Sequence, residues 1–331
     1  MELQIFVEDI SFIEKIREGE MKKLILETTA PFQGLPELVA FDEGLFEAEG
    51  LTVEWVDRDT GPKPDTQRDI TSPDQLSPFS SHGKLFEQGK ADMYNACEWG
   101  NYCRVQDSKL GGRQVGRRAI VTYGALVVPS NSNAYTPQQM AGKTVGVPYY
   151  FGTHFLALLL LEGFLPREQI KTCSTPNGSR RQYDAMLRGD YDGACLTEPY
   201  ISLAEKQGCR VLASASFHGT EVVSDKVDTE TYAAFNRAVT EAVGKIKENK
   251  LKYMNYFIDY YKDRDPEISR VLTLGDLTPS RIIVQKPMPI PEPELQRSYE
   301  WIRSWGLLSE TERAGSLVDQ KSQNTIHSAA E

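Results

Sequence analysis

Between residues 95 and 103 the chain reads NACEWGNYC, crowding amide, thiol, carboxylate and aromatic groups into one short stretch. A cysteine thiolate attacks electrophiles when a neighbouring base activates it. Two histidines offer that base: His82, before this stretch, and His154, well beyond it. On a catalytic reading Cys97, Glu98, His82 and His154 divide the roles of nucleophile, acid and base. On the other reading Cys97 is inert packing, because a buried thiol needs electropositive surroundings to ionise.

A second set of residues is suited to holding a ligand rather than changing it. Gly152-Thr153 stands before the apolar run Phe155–Glu162. A helix starting there offers unpaired N–H groups, a hydroxyl and the positive end of a dipole, which together bind anions. The alternative is plain N-capping by Thr153. His154 would lie in the first turn, where the dipole disfavours its protonation. The loop Thr28–Gln33 follows a short apolar strand and is the matching donor set at a strand's carboxyl end. The candidate ligand contacts are Thr28, Thr29, Phe32, Gln33, Asn95, Cys97, Tyr149, Gly152, Thr153, His154 and Glu198. Glu198 can accept from a ligand amine or from a protein side chain across a cleft. Phe32, Trp99, Tyr149, Tyr150 and Phe151 can stack on a flat ligand or simply pack.

Other chemistry finds no support. GxGxxG, Walker A, HExxH and GxSxG motifs are absent, and the four histidines are scattered. The cysteines (Cys97, Cys103, Cys173, Cys195, Cys209) are odd in number and lack metal-ligand spacing. Free thiols fit a reducing compartment. No metal and no cofactor is expected.

Elements must position these groups. Residues 22–55 read as strand, loop, helix, turn, strand: Leu24–Leu26, then Leu35, Leu38, Val39, Leu45 and Phe46 at helical spacing, then Leu51, Val53 and Trp55 alternating. That is a βαβ crossover. Further strands are expected at Ala91–Tyr94, Ala119–Val128, Lys143–Val147, Tyr191–Cys195 and Cys209–Ala213. Helices are expected at His82–Gly89, Phe155–Glu162, Tyr183–Gly189, Thr231–Asn249, Tyr253–Tyr261 and Glu294–Trp305. NACEWGNYCRV reads as a loop. Thr231, Ala234, Ala238 and Ala242 share one helix face, with Phe235 and Val239 beside them.

The chain has 331 residues and a net charge of −10. Its length predicts two domains. Its charge argues against a nucleic-acid or anionic-membrane partner. The longest apolar run, Phe155–Leu165, is broken by Glu162 and Gly163, too short to span a bilayer. Residues 1–20 read as an amphipathic helix with Ile10, Ile13 and Ile16 on one side, not as a secretory signal. A cytoplasmic location is expected, or a periplasmic one if a leader was removed.

Four runs, GLFEAEGL, KADMYNACEWG, MAGKTVGV and GDYDGACLTEPY, stand in an order and spacing that carry a resemblance. The chain resembles the type II periplasmic-binding-protein-like superfamily, in the branch of nitrate, sulfonate and taurine binding proteins and thiamine-pyrimidine synthases. The resemblance implies two α/β domains around a ligand cleft, joined by two crossovers, with C-terminal helices covering the first domain. It places domain 1 at 21–128 and 216–315, domain 2 at 129–215, and a polar tail from 316. It implies a small anionic, heterocyclic or aromatic ligand, an ABC permease partner if the protein is exported, and a monomer or homodimer. The alternative is a cytosolic lyase, hydrolase or decarboxylase on the same scaffold. The superfamily's aryl sulfinate desulfinase carries its cysteine in the loop after the first strand. Here that loop is Thr28-Thr29-Ala30-Pro31, so that activity does not carry over. The adjacent cysteines of the pyrimidine-synthase branch are also missing.

Overall fold

The computed structural model describes residues 21–58, 67, 69–308 and 314–323. The amphipathic segment 1–20, most of the polar stretch after 58 and the end of the tail lie outside the described residues. Among the described residues nine strands form one curled sheet: β1 (Lys22–Glu27), β2 (Leu51–Val56), β3 (Met93–Cys97), β4 (Arg113–Val128), β5 (Thr144–Val147), β6 (Lys171–Ser174), β7 (Gly193–Thr197), β8 (Arg210–Val223) and β9 (Ile283–Val284). The order is β2-β1-β3-β8-β4-β7-β5-β6, with β9 added to β4. The helices are α1 (Pro31–Asp42), α2 (Leu45–Ala48), α3 (Lys84–Glu87), α4 (Glu98–Asp107), α5 (Gly152–Glu162), α6 (Ser179–Leu187), α7 (Tyr200–Lys206), α8 (Thr229–Glu248), α9 (Lys250–Met254), α10 (Tyr256–Asp259), α11 (Pro266–Val271) and α12 (Glu292–Ser304).

Each half of the sheet has a parallel core made by crossovers. β1 pairs with β2 and β3 in parallel, and β5 pairs with β6 and β7 in parallel. The halves meet through two long antiparallel strands. The end of β8 pairs with β3 and with the start of β4, and the end of β4 pairs with β7. β4 and β8 are therefore the two passages between the halves.

The core follows the apolar pattern. Leu35, Val39 and Phe46 pack with Ala234, Phe235, Ala238, Val239 and Ala242 of α8, all buried. α8 thus covers the first half, as the resemblance implies, through the face that carries Ala234, Ala238 and Ala242. α9 and α10 join it there, Tyr253, Met254 and Phe257 packing into the same core, and α12 lies against α4, while α11 rests on α7 in the second half.

Three readings are corrected. NACEWGNYCRV is not a loop: β3 runs to Cys97, whose thiol accepts from Gly100 N–H and starts α4. The strand at Cys209–Ala213 continues to Val223, because it returns to the first half. The helix expected over His82–Gly89 is only Lys84–Glu87.

Candidate functional site

A cavity of about 210 Å³ has walls from both halves. Ala30 comes from the loop after β1, Phe32 and Gln33 from the first turn of α1, and Cys97 from the end of β3. Pro148 and Phe151 come from the loop after β5, and Gly152 and Thr153 from the first turn of α5. Among the described residues, the five charged ones on the wall are all arginines: Arg58, Arg104, Arg118, Arg180 and Arg264.

Arg118 is set by a bulge. Between the pairs Arg117–Thr220 and Val121–His218, the β4 residues Arg118, Ala119 and Ile120 oppose Gly219 alone. Bulges of this kind re-aim side chains. Arg118 is 1% exposed and lines the cavity. A Cβ on Gly219 would stand 2.1 Å from Arg118 Cζ, so a glycine is what admits the guanidinium. Arg118 Nε donates to Ile120 O at 3.4 Å and Nη2 to Thr122 Oγ1 at 2.5 Å. Nη1 has no partner among the described residues.

Glu37 and Glu221, both buried, lie close enough to Arg118 and to each other to interact electrostatically. Burial raises both above the ordinary carboxylate range, Glu221 well above it. Glu221 therefore holds a proton beyond the pH at which a free carboxyl loses it. The pair presents less than its full negative charge to Arg118, leaving part of that cation to a ligand.

Arg104, on α4, is fully buried and anchored on neutral acceptors. Nε donates to Pro78 O at 2.9 Å and His82 O at 3.1 Å; Nη1 donates to Asn101 Oδ1 at 3.4 Å and Nη2 to Tyr150 O at 3.2 Å. It ties the His82 loop of one half to the Tyr150 loop of the other. Tyr150 adopts φ 68°, and Gly100 lets its carbonyl approach, since a Cβ there would sit 2.3 Å from Tyr150 O. Glu27 fixes the same His82 loop from below, accepting from Gly83 N at 2.8 Å and Leu85 N at 2.7 Å.

Of the residues expected at the site, Phe32, Gln33, His82, Cys97, Gly152 and Thr153 reach the cavity wall. His82 Nε2 lies 3.2 Å from Gln33 Oε1, and Gln33 Nε2 donates to Asn95 O and Oδ1, both at 3.2 Å. This order puts the His82 proton on Nε2. Gly152 packs under Phe217, where a Cβ would stand 2.4 Å from the ring. Thr153 does not cap its helix: the N-cap is Phe151, without a side-chain bond.

The others lie elsewhere, each for a local reason. Thr28 turns to Asp57, with Oγ1 donating at 3.4 Å. Thr29 is buried against Gly34 and donates to Asn95 Oδ1 at 3.3 Å. Asn95 thus holds Gln33 and Thr29 rather than facing the cavity. Glu98 forms a buried pair with Arg117 at 2.8 Å and accepts from Tyr102 Oη at 2.6 Å, so it is no acid or base for a cavity ligand. His154 is 1% exposed, accepts from Tyr150 N at 3.3 Å, and is pushed down to about 3 by burial. It is a neutral structural ring, packed on Tyr149. Tyr149 Oη donates to Thr71 O at 3.1 Å and Thr172 O at 3.4 Å. Glu198 meets Arg281 at 3.1 Å and Ser202 N at 3.2 Å, the side-chain partner of its two expected roles. Cys97 lines the wall, but burial pushes its thiol up from the ordinary value. A protonated thiol is a poor nucleophile.

Sequence reasoning missed most of the second-half wall. Asn177, Gly178 and Ser179 lead into α6, followed by Arg180 and Gln182. Thr197 ends β7, and Tyr200, Tyr260, Tyr261 and Arg264 complete the wall. The N-G-S run before a helix was the available signal. The first turns of α5 and α6 both reach the cavity, and neither has a side-chain cap.

Two α/β halves, two strand passages and a cleft-side cavity define the periplasmic-binding-protein fold. Among solved structures, the alkanesulfonate-binding protein SsuA from Xanthomonas axonopodis pv. citri, bound to MOPS, is similar with a TM-score of 0.65 and 14% identity, over 91% of this chain and 98% of that one. A Candida albicans protein with the generic periplasmic binding protein fold is similar at TM-score 0.60 and 13% identity, over 91% and 96%. The desulfurization enzyme DSZB is similar at TM-score 0.61 and 12% identity, over 94% and 100%. No protein-family model and no curated protein sequence matches the chain.

Proposed function

We propose that this protein binds a small organic anion, of the sulfonate or carboxylate type, in the cavity between its halves. The observation that carries this reading is the wall charge: among the described residues, five arginines and no carboxylate line the cavity, in a chain of net charge −10. Arg118 Nη1 and the first-turn N–H groups of α5 and α6 are the donors. The cation and the helix dipoles act in a desolvated site, where charge-assisted bonds are strong. Phe32, Gln33, Cys97, Gly152 and Thr153 are ligand contacts; Gln33 is held in place by Asn95. The similarity to a sulfonate-binding protein supports the sulfonate class. The two bodies, 21–128 with 216–315 and 129–215, hinge where β4 and β8 pass between them. If the protein is exported its partner is an ABC permease; without a leader it works in the cytoplasm, as a monomer or homodimer.

A second reading is an enzyme on this scaffold, supported by the similarity to DSZB and by His82 and Cys97 both lining the cavity. The raised thiol weighs against Cys97 as its nucleophile. A thermal-shift screen of sulfonates, aromatic carboxylates and their uncharged amides tests the anion reading. Anions that bind the folded state raise the midpoint and the amides do not. Equal shifts from both sets would sink it.

A further inference from the structure

The two sides of the cavity differ in charge. On the first side, Arg118 keeps an unpartnered Nη1 and Arg104 is bound to neutral acceptors. On the other side, Arg180 is already matched: its guanidinium meets Asp184 at 2.9 Å, Asp265 at 3.4 Å and also Glu267. Arg264 lies over the Tyr260 ring at 4.1 Å, exposed to solvent. This side therefore adds little net charge for a second anionic group. It offers a neutral acceptor instead. Gln182, on α6 and 2% exposed, lines the cavity, and its Oε1 has no partner among the described residues. An unsatisfied buried amide oxygen is costly, and a ligand donor would recover that cost.

Much of the wall is aromatic. Phe32, Phe151, Phe217, Tyr200, Tyr260 and Tyr261 all contribute rings. Tyr200 and Tyr261 meet edge to face at 5.7 Å, and Tyr260 and Tyr261 at 5.1 Å. The volume of about 210 Å³ lies below the ~300–1,000 Å³ of drug-sized pockets, which suits one ring better than several.

We infer that the ligand is a single-ring aromatic acid bearing an N–H or O–H donor on the side of the ring away from the acid. The acid group lies on Arg118 and the donor on Gln182 Oε1, with the ring between the aromatic walls. This rests on the anion reading proposed above and narrows it. The class excludes short aliphatic sulfonates as preferred ligands.

Calorimetric titration of the full chain with three probes tests it: methanesulfonate, benzenesulfonate and 4-hydroxybenzenesulfonate. Benzenesulfonate should bind more tightly than methanesulfonate, and the hydroxyl should add about tenfold. In Gln182→Leu the ratio between the two aromatic probes should fall to about one. Equal binding of the two aromatic probes to the wild-type protein would overturn the inference, as would methanesulfonate binding as tightly as benzenesulfonate. Either result leaves the anion reading standing. No binding of any probe would remove the anion reading itself, and this inference with it. The comparison on the wild-type protein decides the matter even if Gln182→Leu fails to fold.

Discussion

Replacing Gly219 with alanine perturbs the site through one added methyl group. The new Cβ would lie 2.1 Å from Arg118 Cζ, 2.3 Å from Nε and 2.5 Å from Nη1. Real contacts of this kind need well over 3 Å, so the guanidinium must move by about 1 Å or more. Gly219 has no left-handed φ, so the backbone itself accepts alanine and the effect is steric. Arg118 is wholly buried between β8, Thr122 and the Glu37–Glu221 pair, and has little room to retreat. Overpacking of this sort costs about 1–3 kcal/mol of stability. Losing one charge-assisted bond to a bound anion costs a further ~1.5–3 kcal/mol of binding, or roughly tenfold to a hundredfold in Kd. Calorimetric titration with benzenesulfonate reads the second figure, and urea melts read the first. A folded Gly219→Ala protein with unchanged affinity would refute the placement of the anion on Arg118.

Other outcomes follow from the same geometry. Glu221→Gln should flatten the pH dependence of stability. A carboxyl raised in the folded state binds its proton more tightly there than in the unfolded chain, so stability falls as pH rises from the ordinary carboxyl pKa toward the raised one. Urea midpoints of wild type and variant between pH 5 and pH 8 measure this, and equal slopes would contradict a retained proton. Arg117→Met leaves Glu98 buried without its cation and should cost about 3–5 kcal/mol in urea melts. Cys97 should react slowly with a thiol reagent at pH 7 in the folded protein, and faster once unfolded. Fast native-state labelling would reopen it as a nucleophile.

The fold was legible where burial is one-sided or continuous. Leu24, Val53, Val145 and Ala194 all lie in strands whose apolar residues announce them. β6 was not: KTCS is short, partly exposed and has no apolar alternation. With β6 went the loop after it, which carries Asn177–Ser179. The α4 segment reads as a loop from sequence alone, with Gly100 and Asn101 poor helix formers; the contacts of Arg104 and the Cys97 cap decide it. At the site, loops were easier to foresee than residues. The segments after β1 and β5 do line the cavity, yet Thr29 in the first and His154, in the opening turn of α5, face inward. The arginines escaped notice for a related reason. Arg118 precedes an apolar run in the sequence and looks like its polar boundary, and only the three-to-one bulge opposite Gly219 turns it inward. A pairing across a hundred residues of chain has no local signature.

The central claim is that the cavity selects negative charge. Calorimetric titration of the wild-type protein with benzenesulfonate and with benzenesulfonamide, at one ionic strength, tests it most directly. The two share a ring and nearly a shape and differ by one charge. A Kd for the sulfonate at least tenfold lower is the predicted result. Equal affinity, or tighter binding of the sulfonamide, would contradict the account.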